Sequence, residues 1–132
     1  MRGLMLAFIV MLLAACGGPD PRYRIPTQKW NDVVVEVRVM PTPVRPGMNE
    51  FLVLTTLEHG RPVDDLIVSL RTDPDKEWQQ AIQDGLSGVH RHSLYLPGTH
   101  LLYVQLRKKR TDEAVVLEFP LVYENDLQGD SD

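Results

Sequence analysis

The 132-residue chain carries 14 Lys and Arg against 18 Asp and Glu, a formal net charge of −4, and a single cysteine, Cys16. A chain of that size holds one domain with a core large enough to need no metal or disulfide, and a lone cysteine rules out an internal disulfide. Net acidity argues against a nucleic-acid partner, because displacing phosphate counterions takes a surplus of basic residues.

Residues 1–15 open with Arg2 and continue through an apolar run, residues 4–13. Ten helical residues rise about 15 Å, half the hydrocarbon thickness of a bilayer, so the run is too short to span and reads as an export signal. It leads into Leu13-Ala14-Ala15-Cys16, which resembles the lipobox of bacterial lipoproteins. The resemblance implies cleavage before Cys16, lipidation of its sulfur by diacylglycerol, and two or three acyl chains. That is enough for durable anchoring, where one chain binds only marginally. It also implies a place in the bacterial envelope. Because Gly17 rather than Asp follows the cysteine, the periplasmic face of the outer membrane is expected in preference to the inner membrane. Residues 16–32, with Gly17, Gly18, Pro19, Pro21 and Pro26 among polar neighbours, are expected to form a flexible tether of ~40–50 Å. Trp30 is the exception, expected to lie over the end of the core.

From Val33 the hydrophobic period is two. Val33, Val35, Val37 and Val39 alternate with Val34, Glu36, Arg38 and Met40, and residues 51–57 form a second apolar run. Pro41, Pro43 and Pro46-Gly47 between them forbid helix and central-strand pairing. Further strands are expected at 66–70, 89–96, 100–107 and 114–123. They are separated by turns at His59-Gly60-Arg61-Pro62, Thr72-Asp73-Pro74-Asp75, Asp84-Gly85 and Pro97-Gly98. Residues 77–83 are a shorter strand or one helical turn. Seven short strands with turns every eight to twelve residues predict an all-β, immunoglobulin-like sandwich of antiparallel strands over residues 33–123, without a disulfide, followed by an acidic tail, 124–132. The alternation places Val35, Val37, Val53, Leu94, Leu102, Val104, Leu117 and Phe119 in the core. The basic run Arg107-Lys108-Lys109-Arg110, followed at once by Asp112 and Glu113, is expected to be a solvated hairpin tip.

Three stretches carry a family resemblance: residues 43–49 (PVRPGMN) leading into an apolar strand, Gly60-Arg61-Pro62-Val63 before the next, and Gly88-Val89-His90-Arg91 opening a strand that ends at Pro97-Gly98. Over about two thirds of its length the chain resembles the periplasmic YtkA-like and FixH-like domains. The resemblance implies a small immunoglobulin-like envelope domain; some such domains are associated with respiratory oxidase or copper maturation. The cysteine and methionine-rich clusters that would accompany copper handling are absent from this sequence.

Catalysis has little to build on. Once Cys16 is acylated there is no thiol nucleophile, and Gly-x-Ser-x-Gly, His-Glu-x-x-His and phosphate-loop patterns are missing, so the protein is expected not to be an enzyme. Ser69, Ser87 and Ser93 have no recognisable base beside them. Asp64-Asp65 and Asp73-Pro74-Asp75 read as turn formers rather than calcium ligands. The one candidate metal set is histidine. His90 and His92 project from the same face of one strand, and His100 on the following strand is placed to face them, a nitrogen set suited to copper or zinc. Met40 and Met48, potential soft ligands, are expected to fill gaps at the sandwich edge. The leading expectation is a lipid-anchored, non-catalytic adaptor without cofactor that binds another envelope protein, with a copper or zinc carrier using His90, His92 and His100 as the alternative. Edge strands such as residues 33–39 would be the means of binding.

Overall fold

A computed structural model describes residues 20–128; Cys16, the leader, the lipobox and residues 129–132 lie outside them. Alternating apolar residues and proline-glycine breaks produce nine strands: β1 (Gln28–Trp30), β2 (Val33–Met40), β3 (Gly47–Leu57), β4 (Leu66–Arg71), β5 (Gln79–Gln80), β6 (Ile82–Gln83), β7 (Val89–Leu96), β8 (Leu101–Lys108) and β9 (Ala114–Pro120). A 3-10 turn, Pro21–Tyr23, precedes them and one short helix, α1 (Glu124–Gln128), follows. The strands form two antiparallel sheets, β1-β2-β3-β7-β6 and β5-β4-β8-β9. This is the all-β sandwich expected, with nine strands in place of seven.

The two extra strands have separate origins. Residues 77–83 do not make a single strand. Gln79–Gln80 pairs with β4 in one sheet and Ile82–Gln83 with β7 in the other, and the Ala81 amide between them donates to the Val68 carbonyl at 2.8 Å. The segment crosses from sheet to sheet, so one run in the sequence becomes two strands. The other addition is β1, inside the stretch expected to be tether. Gln28↔Val35, Lys29↔Val34 and Trp30↔Val33 pair across the tight Asn31-Asp32 turn, where Asn31 adopts φ 55°, a left-handed conformation that asparagine tolerates better than most residues. Ile25 is buried in the core and Trp30 packs against it. The folded domain therefore reaches back into the expected tether, because an apolar Ile25 and a half-buried Trp30 gain more from the core than free chain would retain in entropy.

The inward faces match the alternation. Val35, Val37, Val53, Leu94, Leu102, Val104 and Phe119 are buried with Phe51 and Leu106, while Leu117 packs partly exposed against them. The region 41–46 between β2 and β3 is held by Asn49, itself buried. Its side-chain oxygen accepts from the Arg45 amide at 3.2 Å, and its nitrogen donates to the Arg45 and Gly47 carbonyls at 2.6 and 3.1 Å. No helix among the described residues is long and apolar enough to cross a membrane.

Candidate functional site

The three histidines do not meet. His90 opens β7 and is buried, its Nε2 3.4 Å from the Thr55 hydroxyl, which itself donates to the Val63 carbonyl. Burial, with the nearby Lys109 charge adding to it, pushes the His90 imidazole down to about 4, so it is a neutral packing residue at neutral pH. His92 shares that face and lies 2.7 Å from the Gln79 side-chain oxygen, across the side that residues 79–83 close. His100 follows the Pro97-Gly98 turn at the opposite end of the sandwich, where the chain enters the second sheet. There it contacts Asp126 at 3.1 Å and meets the Tyr123 ring edge-on. Six strand residues, about 20 Å, separate the His90 and Leu96 ends of β7, and no group of three His, Cys, Asp or Glu able to hold a metal exists among the described residues. The expected ligand set fails because the chain changes sheet between His92 and His100, and parity along one strand says nothing about such a crossing.

One other expectation needs correction. Met40 and Met48 do not fill gaps; both side chains are more than half exposed, on the outer face of the first sheet. The basic run lies at the tip of the β8–β9 hairpin, mostly exposed, as expected. Lys108 pairs there with Glu113 at 3.1 Å, and Lys109 donates to the Gln83 side-chain oxygen at 2.9 Å while its amide donates to the Asp65 carbonyl at 3.0 Å. Asp73 accepts from the Asp75 amide at 2.9 Å and forms a turn as expected.

The feature with the means to bind lies along β2. Its inner edge is fully paired with β3, from Val33↔Leu57 to Met40↔Glu50. Its outer edge is paired with β1 only at residues 33–35; among the described residues no strand pairs with residues 36–40 on that side. The chain leading into β1 leaves the ladder there, turns Ile25 into the core, and runs as residues 20–27 beside β2. Between the two lies a groove of about 920 Å³, lined on one wall by Asp20, Pro21 and residues 23–27 and on the other by residues 36–40 with Thr42 and Leu52. Val37 and Val39 turn their side chains into the core, so they offer the groove main chain, while Arg38 and Met40 stand at its outer rim. Arg38 is tied to Glu36 at 2.9 Å and Arg22 to Asp20 at 2.7 Å. The Arg22 side chain and amide, both bonded to the Asp20 carboxylate, hold that carboxyl below its usual range. The groove thus has a polar rim on which Asp20, Glu36 and Arg38 are paired and Arg24 also stands, and an edge with no strand opposite it, where the Val39 carbonyl accepts from the Thr42 hydroxyl at 2.7 Å.

The sequence contained part of this. Residues 33–39 read as an edge strand, and Pro21 and Pro26 mark chain unable to extend a ladder. The Asn31-Asp32 turn flanked by Trp30 and Val33 was a signal for β1 that composition alone obscured. Comparisons with family models, with characterised proteins and with solved structures gave no match.

Proposed function

We propose that this protein is a lipid-anchored, non-catalytic adaptor of the bacterial envelope, which binds another envelope protein by accepting an extended segment along the outer edge of β2. The single observation that carries the reading is the free stretch of β2, residues 36–40, beside the groove. An exposed strand edge pairs readily with extended chain: main-chain hydrogen bonds supply affinity, and flanking pockets supply selectivity. The anchor rests on Leu13-Ala14-Ala15-Cys16, and the envelope location on the same motif. The resemblance to YtkA-like and FixH-like domains accords with a small envelope sandwich. The metal-carrier alternative has lost its ligand set.

Two measurements test this. Mass spectrometry of the native protein should find an acylated amino-terminal Cys16 and no residues 1–15, and Cys16→Ser should leave an unprocessed precursor. A water-soluble native protein with an unmodified thiol would sink the anchor. A photo-crosslinking amino acid at Arg38 or Met40 in intact cells should capture a protein neighbour, and one at Leu86, exposed on the other side of the sandwich, should not. Equal capture from both positions, or from neither, would remove the groove as the binding site.

A further inference from the structure

The chain places the groove close to the proposed anchor. Asp20 belongs to the groove wall, and only four residue steps separate it from Cys16. Four steps span at most about 14 Å, a fraction of the ~40–50 Å expected of a tether of seventeen residues. The difference is consumed by residues 20–32, which fold onto the sandwich through the 3-10 turn, Ile25 and β1. Chain direction fixes which end faces the lipid. β1 runs antiparallel to the start of β2, so residues 27 back to 20 pass alongside its second half, toward Met40 and the 41–46 turn. The free edge, five residues long, extends about 17 Å from there.

We infer that the segment taken up by the groove is an extended juxtamembrane stretch of a membrane-spanning envelope protein. The inference rests on the anchored-adaptor reading above and narrows the partner. With Cys16 held at the membrane surface, the near end of the groove lies within about 14 Å of the lipid attachment and the far end within about 30 Å, the span of some nine extended residues. A segment just outside a bilayer is held at that height already, so little freedom remains to be lost on pairing, and its effective concentration at the groove is high.

Two other occupants fit the groove less well. An acyl chain of the protein's own lipid would cover the main-chain groups of residues 36–40 that point away from β3 with hydrocarbon that cannot hydrogen-bond to them, leaving buried polar groups without partners. A second copy pairing β2 to β2 about the centre of the free stretch would set Arg38 opposite its own symmetry copy, and like charges directly opposite are destabilising.

The experiment uses the full-length, lipidated protein in cells, with the photo-crosslinking residue at Met40. One form has the native sequence. The other carries a flexible twenty-residue Gly/Ser spacer between Gly18 and Pro19, outside the described residues. Lengthening the tether from four to twenty-four residues lowers effective concentration by roughly the −3/2 power of length, about fifteen-fold. The expected result is a loss of adduct of that order with the spacer, and captured peptides that map within about nine residues of a membrane-spanning segment in the native form. Adduct formed equally with and without the spacer, or captured peptides remote from any span, would overturn the juxtamembrane partner and leave the edge-strand reading standing. Absence of any adduct from either form would overturn both. Membrane fractionation of each form checks that the spacer leaves Cys16 processing intact.

Discussion

The two lateral sides of the sandwich solve the same problem to different degrees. Where β5 and β6 lie, residues 79–83 bond to both sheets. Ala81 donates to Val68, the Gln83 side chain donates to the Asp64 carbonyl at 2.8 Å, and His92 contacts Gln79, so the opening between sheets is stitched shut. Where β1 and β9 lie, the chain covers the opening less completely. The Gln28 side chain reaches the Glu118 carbonyl and Ile25 enters the core, but pairing with β2 stops at Val35. On the closed side residues 92–96 of β7 have no strand on their outer side among the described residues, but residues 79–83 tie the two sheets together there. On the open side residues 36–40 of β2 have no strand on their outer side and border the groove, and β9 ends the other sheet. The difference teaches that the binding proposed above would rest on incomplete covering beside a groove rather than on a cluster of reactive side chains.

The comparison can be broken most forcefully through the core that both sides enclose. Leu102→Ala, at a fully buried position of β8, should cost about 2 to 5 kcal/mol, read as a lowered urea midpoint. A smaller loss would mean that the interior is less tightly packed than the burial of Leu102 implies. Gly88, at the start of the strand that β6 pairs with, comes next. It adopts φ +72°, its carbonyl accepts from the Thr55 amide at 2.9 Å, and a β-carbon there would sit 2.6 Å from the Thr55 carbonyl oxygen. Gly88→Ala should therefore destabilise by about 2 to 3 kcal/mol, whereas Gly98→Ala, with a similar φ of +105° but open space around it, should cost distinctly less.

His90 sharpens the comparison through pH. Its imidazole titrates near 4 in the folded chain, depressed by burial and then by Lys109, against an ordinary value of 6.5. The unfolded chain takes up the proton first as pH falls, so the stability associated with neutral His90 is complete above pH 6.5 and is lost progressively toward pH 4. About 2 to 3 kcal/mol should disappear across that window. His90→Phe should flatten the profile there, and an unchanged slope would show that other groups dominate acid sensitivity.

The smallest effects belong to the open side. Met40→Ala and Arg38→Ala, at exposed positions, should change stability by no more than about 0.5 kcal/mol, and a change greater than 1 kcal/mol would mean that the rim is structural. In amide hydrogen exchange the Ala81 N–H should be strongly protected, while the amides of residues 36–40 that point away from β3 exchange quickly. Protection of those amides would close the edge and remove the groove's claim.

Much of the architecture was legible in the sequence because a pleated strand writes its burial in alternate residues. Val33 through Val39, Leu94 with Leu96, and Leu102 with Val104 and Leu106 announce both strands and faces, and the prolines and glycines at 41–47, 60–62 and 97–98 mark where strands stop. The proposed anchor at Cys16 is a purely local motif and stands on sequence alone. Tertiary structure decided what depends on residues far apart in the chain. It divided residues 77–83 between two sheets, sent His100 to the end opposite His90, drew Ile25 out of the expected tether, and ended the β1–β2 ladder at Val35. Periodicity reports which face of an element is buried but not which element covers it, and the free edge of β2 lies where the chain before β1 turns Ile25 into the core instead of continuing the sheet.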